Sequence, residues 1–203
     1  LAGMGARSAA AAVAGARGCF VAAHDLNDAA GRRPVPKRVT AAAFAPEAPT
    51  FRARYHQHAM LLEPFRRGGA PDGLLRATAT ALRDGGEVVL LDLVASGGDA
   101  DARWLAAEDR RPPPSEAAMP AALERAGFRL HVVEDAGPRH QRAVLLGWTT
   151  VLETLRAEAA RTSPQAAAAL VAEAEAWLLR LRLLRDGRLR LLRWHASLVR
   201  RPE

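Results

Sequence analysis

The chain opens on Leu1-Ala2-Gly3-Met4-Gly5-Ala6-Arg7-Ser8, a stretch of small residues with two glycines. An alanine-rich run predicts a helix from Ser8 to Ala16, and the apolar run Cys19–Ala23 predicts a strand that leads into His24-Asp25-Leu26-Asn27. A glycine turn, a helix, a strand and an acidic residue, in this order, are how an α/β protein holds a nucleotide-like cofactor. The strand that should precede the turn is missing, and we expect it to lie outside this sequence.

Strand and helix patterns alternate along the rest of the chain. The predicted strands are 39–44, 51–62, 87–94, 128–134 and 188–199, and the predicted helices are 71–83, 115–126, 138–161 and 164–185. This alternation predicts an α/β fold, with a Rossmann-like, doubly wound, mostly parallel sheet and an antiparallel last strand. We expect a single domain over residues 1–203, in which 138–185 form a helical insertion before the last strand.

Composition narrows the classes of protein and partner. With 49% hydrophobic and 25% charged residues, the 203-residue chain has globular values. Its net charge is +7, but Lys37 is the only lysine, and the arginines are not interleaved with aromatic residues as a nucleic-acid surface would require. No apolar stretch approaches the ~20 residues that cross a bilayer. We therefore expect a cytoplasmic bacterial protein with no membrane or nucleic-acid partner, and the lone Cys19 excludes an internal disulfide and is expected to be buried.

Two further motifs extend the pattern of the opening stretch. Leu82-Arg83-Asp84-Gly85-Gly86 punctuates the chain before the apolar strand Glu87–Val94, and the segment Phe51–Met60 contains Gln57 and His58. Together with Gly3-x-Gly5 and Asp25, these motifs resemble the class I S-adenosylmethionine-dependent methyltransferases of the small-molecule type. The resemblance covers essentially the whole chain, apart from the missing first strand.

The resemblance implies S-adenosylmethionine as the cofactor. In the family motif acidic-x-Gly-x-Gly-x-Gly, Leu1 stands in the place of the first glycine and Gly3 and Gly5 in the places of the next two. Asp25 corresponds to the acidic residue that ends the second strand and binds the ribose hydroxyls, with Leu26 beside it. Gln57 corresponds to a residue at the end of the fourth strand, the part of the fold that faces cofactor and substrate.

The implied activity is methyl transfer to a small-molecule acceptor. His58, and alternatively Tyr55, could remove a proton from the acceptor, and His58 and Trp104 are the candidate substrate contacts. His56 and His58 share a strand face, but no third ligand is visible nearby, so no metal site is predicted. We expect Glu63 and the run Asp109–Arg111 to be solvated.

Other readings of the sequence remain. A catalytically inactive, methyltransferase-like binding or assembly protein is favoured by Leu1 in a glycine position and by Arg52 where an aspartate is usual. A nicotinamide-dependent oxidoreductase would share the glycine turn, but the chain has no Tyr-x-x-x-Lys pair. The helices of 138–185, which carry Trp148 and Trp177, could cover the active site or form a homodimer interface.

Overall fold

The computed structural model describes residues 1–26, 34–96, 101–158 and 163–199. The strands within these ranges are β1 (Ala2–Gly3), β2 (Val21–Asp25), β3 (Val39–Ala43), β4 (His56–Leu62), β5 (Leu82–Ala95), β6 (Phe128–Asp135) and β7 (Leu189–Leu198). The helices are α1 (Ala6–Arg17), α2 (Pro71–Ala81), α3 (Ala102–Ala107), α4 (Ala118–Arg125), α5 (Gly137–Glu158) and α6 (Pro164–Arg185).

All of these strands belong to one sheet with the order β3-β2-β1-β4-β5-β7-β6. From β3 to β5 the neighbouring strands are parallel, and β7 lies antiparallel between β5 and β6. The predicted α/β architecture, with a mostly parallel sheet and an antiparallel last strand, is confirmed. The hairpin-like reversal at Asp186-Gly187 follows α6 and leads directly into β7.

The apolar strand β5 carries the core on both of its faces. Val88 and Leu90 belong to a cluster that includes Leu74 of α2 and Leu123 of α4. Leu93, from an odd position of the same strand, belongs instead to a second cluster with side chains of α3, α6 and β7. Because successive strand residues point to opposite faces, the two clusters are the two layers of helices against the sheet.

The opening stretch contains β1, the strand that precedes the glycine turn. Ala2 pairs with His24 of β2 and with Leu61 of β4, so β1 lies between these two strands in the middle of the sheet. The expectation that the first strand lies wholly outside this sequence is therefore corrected, since two of its residues lie within it. The turn itself follows directly after these two residues.

Three local predictions are wrong. Residues 51–55 are not a strand, because the N–H groups of Arg54 and Tyr55 donate to carbonyls at the end of α2 and bend the segment before β4. The segment 96–114, expected to be a loop, contains α3, whose N-cap Asp101 accepts from the N–H groups of two first-turn residues. Cys19 is exposed rather than buried, since it lies between the C-cap of α1 and the start of β2.

Candidate functional site

The glycine turn joins the carboxyl end of β1 to the start of α1. Gly3 has a φ of 115° and Gly5 a φ of 64°, a region that favours glycine. A Cβ on Gly3 would overlap the carbonyl oxygen of Leu62, because β1 and β4 are neighbours at this point. The N–H of Met4 donates to that same carbonyl over 2.6 Å. The close approach therefore requires glycine at position 3 and holds the turn against the end of β4.

Asp25 ends β2 and lies opposite Gly3 in the register of the sheet. The residue is 4% exposed, and its Oδ2 accepts a hydrogen bond of 2.9 Å from the backbone N–H of Arg7. Arg7 lies in the first turn of α1, whose N-cap Gly5 has no side chain with which to cap the helix. Asp25 thus caps α1 from the neighbouring strand, where the helix dipole favours a negative charge, and its carboxylate lies beside the turn.

A cavity of about 150 Å³ lies beside the turn. It is lined by Met4, Leu26, Arg66, Arg67, Glu108 and Asp109. β1 and β4 are neighbours although β2 and β3 separate them in sequence, so the strand order reverses here. Ligands of open α/β sheets bind in the crevice at such a reversal, outside the carboxyl ends of the strands. The cavity is therefore in the position where this fold binds ligands.

Asp92 of β5 lies buried behind the cavity wall. Its Oδ1 accepts from a guanidinium nitrogen of Arg110 over 3.0 Å and from the N–H of Leu93 over 2.7 Å. Its Oδ2 accepts from the N–H of Phe65 over 3.1 Å. Arg110 also donates to Oε2 of Glu63 over 2.6 Å. One arginine thus links a strand carboxylate to the segment that follows β4.

Arg180 of α6 binds two carboxylates at once. Its Nε and Nη2 donate to the two carboxylate oxygens of Glu108, each over 2.6 Å. Its Nη1 and Nη2 donate to the two oxygens of Glu63 over 2.9 and 3.0 Å. The indole N–H of Trp104 donates to Oε1 of Glu108 over 2.6 Å. We call Glu63, Asp92, Glu108, Arg110 and Arg180 the buried charge cluster.

Three members of the buried charge cluster, Asp92, Glu63 and Arg180, have shifted pKa values. Burial raises the pKa of Asp92 to about 6, although the charge of Arg110 opposes the rise. Burial also raises the pKa of Glu63, but the charges of Arg180 and Arg110 outweigh it and bring that pKa down to about 2. Burial lowers the pKa of Arg180, and its bonds to the two glutamates outweigh this and leave the pKa above its ordinary value. At neutral pH, Glu63 and Arg180 are therefore charged partners.

The structure brings four of the predicted site residues together and separates the others from them. Gly3, Gly5, Asp25 and Leu26 lie at the carboxyl edge of the sheet, around the turn and the cavity.

Gln57 and His58 lie at the start of β4, not at its end, so the predicted position is wrong. His58 is opposite Glu87 in the register, and its Nδ1 lies 3.6 Å from a carboxylate oxygen of that residue. Leu62, where β4 meets the turn, is four positions after His58. This corresponds to a distance of roughly 13 Å along the strand. Tyr55 precedes the strand at the same edge and is exposed. Gln57 and His58 lie at the start of β4 because the strand begins at His56, five residues later than the sequence pattern indicated.

Trp104 is fully buried and does not line the cavity, contrary to its predicted contact with substrate. It packs with leucines of α6 and β7, and the guanidinium of Arg110 lies 5.3 Å from the centre of its ring. Its role in the structure is to pack and to donate to Glu108. Trp104 therefore affects the cavity only through Glu108, which lines it.

Sequence reasoning missed the buried charge cluster. Glu63 and Arg110 were expected to be solvated, yet the Arg110 side chain is fully buried and that of Glu63 is 15% exposed. The bonds of Arg180 join residues 72 and 117 positions apart in the chain, a separation that no local pattern reports. One signal was available, because Asp92 interrupts the apolar run of residues 88–95 in β5.

The lining of the cavity limits its chemistry. Its described lining contains two arginines and two carboxylates and no histidine, tyrosine or cysteine, so these residues offer charge and hydrogen bonding rather than a titratable ring or thiol. Among the described residues, no group of three or more histidine, cysteine, aspartate or glutamate side chains could hold a metal ion. No helix in the described ranges is long and apolar enough to cross a membrane.

Comparisons with known proteins identify the fold. No family model and no curated protein matches the sequence. Among solved structures, the chain is similar to the phosphoethanolamine N-methyltransferase 2 of Haemonchus contortus in complex with phosphomonomethylethanolamine and S-adenosylhomocysteine. The identity is 17% and the TM-score 0.80, over 98% of this chain and 48% of that one. The chain thus spans about half the length of the first structures that it matches.

Two other structures broaden the comparison. A geranyl diphosphate C-methyltransferase from Streptomyces coelicolor A3(2), with Mg2+, geranyl diphosphate and S-adenosylhomocysteine, is 15% identical with a TM-score of 0.70, over 98% of this chain and 70% of that one. The 4+2 cyclase SpnF is 16% identical with a TM-score of 0.63, over 98% of this chain and 73% of that one. At these identities the likeness concerns the fold, and the chain has the Rossmann-like fold of the S-adenosylmethionine-dependent methyltransferases.

Proposed function

We propose that this protein transfers a methyl group from S-adenosylmethionine to a small-molecule acceptor. The observation that carries the proposal is the glycine turn at the point where the strand order reverses, with the buried carboxylate of Asp25 opposite Gly3 and a cavity beside both. This combination fits a ligand with a ribose and a charged chain, because the backbone of the turn and the carboxylate lie together at one edge of the sheet.

Gly3, Gly5, Asp25 and Leu26 are the residues that we propose hold the cofactor. Apart from Gly5 itself and its chain neighbours, no described residue has a heavy atom within 4 Å of the place that a Cβ on Gly5 would occupy, so this side of the turn has room for a ligand. The carboxylate of Asp25 is an acceptor for ribose hydroxyls. When bound, S-adenosylmethionine supplies an electrophilic methyl group on a sulfonium.

The contribution of the chain is to position and to desolvate. Met4 and Leu26 give one side of the cavity an apolar surface, while Arg67 and Asp109 offer opposite charges to an acceptor. Holding the acceptor in line with the methyl group lowers the entropic part of the barrier. Tyr55, Gln57 and His58 are left out of the proposal, because they lie at the opposite end of β4.

Calorimetric titration with S-adenosylhomocysteine tests the cofactor part of the proposal. We expect saturable binding with a stoichiometry of one per chain. Formation of S-adenosylhomocysteine from S-adenosylmethionine, measured with panels of small amines, phenols and carboxylates, tests the transfer. Absence of binding at millimolar ligand would overturn the proposal.

A binding or assembly protein with the same fold, without methyl transfer, is the second candidate. The favouring observation is that the described cavity lining has no titratable ring to act as a base, and folds of this kind host several activities. S-adenosylhomocysteine binding without turnover of any acceptor in the panel would favour this candidate.

We further propose a homodimer in the bacterial cytoplasm, built as one domain in which α5 and α6 are an insertion. Support for the dimer comes from α5, where Leu145 and Leu146 are 59% and 70% exposed, and from α6, where Leu178 is 67% exposed. Contiguous exposed apolar side chains on helices are typical of protein interfaces. Sedimentation equilibrium would test this, since a monomer at micromolar concentration would contradict it.

A further inference from the structure

Two segments that follow neighbouring strands form one wall of the cavity. We call residues 63–67 the β4 segment and residues 101–111 the β5 segment. The β4 segment contributes Arg66 and Arg67 to the lining, and the β5 segment contributes Glu108 and Asp109. The shape of the cavity therefore depends on how these two segments lie against each other.

Several bonds join the two segments directly. The N–H of Arg111 donates to the carbonyl of Arg66 over 2.9 Å, and the guanidinium of Arg66 donates to the carbonyl of Glu108 over 2.6 Å. The buried guanidinium of Arg110 also donates to Oε2 of Glu63 over 2.6 Å. All of these bonds are made by segments outside the sheet, so a bond from a third element adds a further restraint on their separation.

Arg180 supplies this third element from α6. Its guanidinium, 2% exposed, binds the carboxylate of Glu63 in the β4 segment and that of Glu108 in the β5 segment, with two hydrogen bonds to each. Such a planar fork fixes geometry as well as charge, which the point charge of a lysine does not. One side chain thus spans both segments without lining the cavity itself.

Backbone geometry supports this role. Glu63 has a φ of 39° and Asp109 a φ of 47°, in the left-handed region that non-glycine residues avoid. Each such residue costs ~1–3 kcal/mol and persists only where its surroundings determine it strongly. Glu63, in the β4 segment, is bonded to Arg180. Asp109, in the β5 segment, directly follows Glu108, which is also bonded to Arg180.

We infer that Arg180 is a positioning residue, which holds the β4 and β5 segments at the separation that forms the ligand cavity. The inference rests on the proposed function for the identity of the ligand. The role of Arg180 in holding the two segments together does not depend on it. Arg180 acts through Glu63 and Glu108, so removing it should loosen the cavity wall and weaken ligand binding although no contact with the ligand is lost.

The test compares Arg180→Met and Arg180→Lys with a matched control. Arg103→Met removes an exposed ion pair of 3.0 Å between Arg103 and Glu175, which joins the same two helices, α3 and α6, away from the cavity. Calorimetry with S-adenosylhomocysteine, at a temperature where each variant is folded, gives the affinity. Hydrogen exchange at the amide of Arg111 reports whether the two segments still hold together.

We expect S-adenosylhomocysteine to bind Arg180→Met roughly tenfold or more weakly than wild type, Arg180→Lys to be intermediate, and Arg103→Met to be unchanged. The amide of Arg111 should exchange at least about tenfold faster in Arg180→Met, and amides in the middle of β5 should not. Because methionine removes the charge of Arg180 from two buried carboxylates and leaves them with Arg110 and Trp104 as partners, the lysine variant, which keeps a charge, provides the foldable test. A folded Arg180→Lys with wild-type affinity and wild-type exchange at Arg111 would overturn the inference. If wild type itself fails to bind S-adenosylhomocysteine, the proposed function fails, and the exchange at Arg111 alone decides the role of Arg180.

Discussion

At its start, β4 presents Gln57 and His58 to solvent, and Nδ1 of His58 lies 3.6 Å from a carboxylate oxygen of the exposed Glu87. After its end, Glu63 is bound by two arginines in a nearly buried cluster. Exposed ion pairs contribute ~0–1 kcal/mol, whereas breaking a buried pair costs ~3–5 kcal/mol. The two ends of one strand thus carry similar residue types, but only the carboxyl end has the burial and the neighbours of a functional site.

The largest effect is expected at Gly3. Alanine there would overlap the carbonyl oxygen of Leu62 at a φ of 115°, so β1 and β4 would have to separate. We expect Gly3→Ala to reduce the free energy of unfolding by about 4 kcal/mol or more, as measured by urea denaturation. The matched control is Gly147→Ala in α5, where no atom lies within 4 Å of the new Cβ. This control should stabilise the protein by about 0.5–1 kcal/mol. Equal effects of the two substitutions would contradict the close approach at the turn.

The second effect concerns the pH dependence of stability. The folded-state pKa of Asp92 is about 6, against an ordinary value of 3.8, so the folded protein binds more protons than the unfolded chain between those values. The contribution of Asp92 to the free energy of unfolding therefore falls as pH rises from 4 to 6, on the order of 2 kcal/mol. We expect Asp92→Asn to remove this fall, as measured by urea denaturation across that range.

The contribution of Glu63 to the free energy of unfolding changes with pH in the opposite direction to that of Asp92 and in a lower pH range, so the two contributions can be separated. Its folded-state pKa is about 2, against an ordinary 4.5, so its stabilising contribution is present above pH 4.5 and is lost as pH falls toward 2. Asp72→Asn, which removes one partner of an exposed ion pair with Arg125, is the control and should leave the slope between pH 4 and 6 unchanged. If Asp92→Asn kept the wild-type slope, Asp92 would not be a buried, proton-binding carboxyl.

A third, smaller effect tests the carboxylate beside the turn. A hydrogen bond to a charged group contributes ~1.5–3 kcal/mol, so Asp25→Ala should weaken S-adenosylhomocysteine binding about 10- to 100-fold in calorimetry. Loss of the cap on α1 also costs stability. Ser163→Ala is the control, because it removes the cap of α6, whose hydroxyl accepts from the N–H of Ala166 over 3.2 Å. Equal affinities of the Asp25 and Ser163 variants would place the ligand elsewhere.

The smallest effect is expected at the opposite end of β4. His58→Ala should leave S-adenosylhomocysteine affinity and methyl transfer unchanged within about twofold, since His58 lies roughly 13 Å of strand away from the turn. Its side chain is 76% exposed. A loss of activity without a loss of stability would restore the role that the sequence suggested for this histidine.

Local patterns were sufficient to predict the sheet and one half of the candidate site. The turn with two glycines, the spacing to Asp25 and the apolar strand Glu87–Val94 depend on neighbours in sequence, so they are visible without coordinates. The helices on either side of Ser163 were predicted for the same reason, from helical spacing and an N-cap followed by proline.

The other half of the site could not be predicted because it depends on distant neighbours. Charged residues are solvated by default, whereas Glu63 and Glu108 are buried against arginines that are distant in sequence, Arg180 of α6 for both and Arg110 for Glu63. The placement of His58 failed for a different reason, since the matched pattern began at Phe51, whereas the strand begins at His56. Which end of a strand a residue occupies decides its function more than its type does.

A crystal structure of the protein with S-adenosylhomocysteine would test directly whether the cofactor binds at the glycine turn beside Asp25. The account predicts the ligand against the turn of Gly3 and Gly5, with its ribose hydroxyls bonded to Asp25 and its chain directed to the cavity beside Arg66. Ligand bound at the start of β4, against Gln57 and His58, would contradict it.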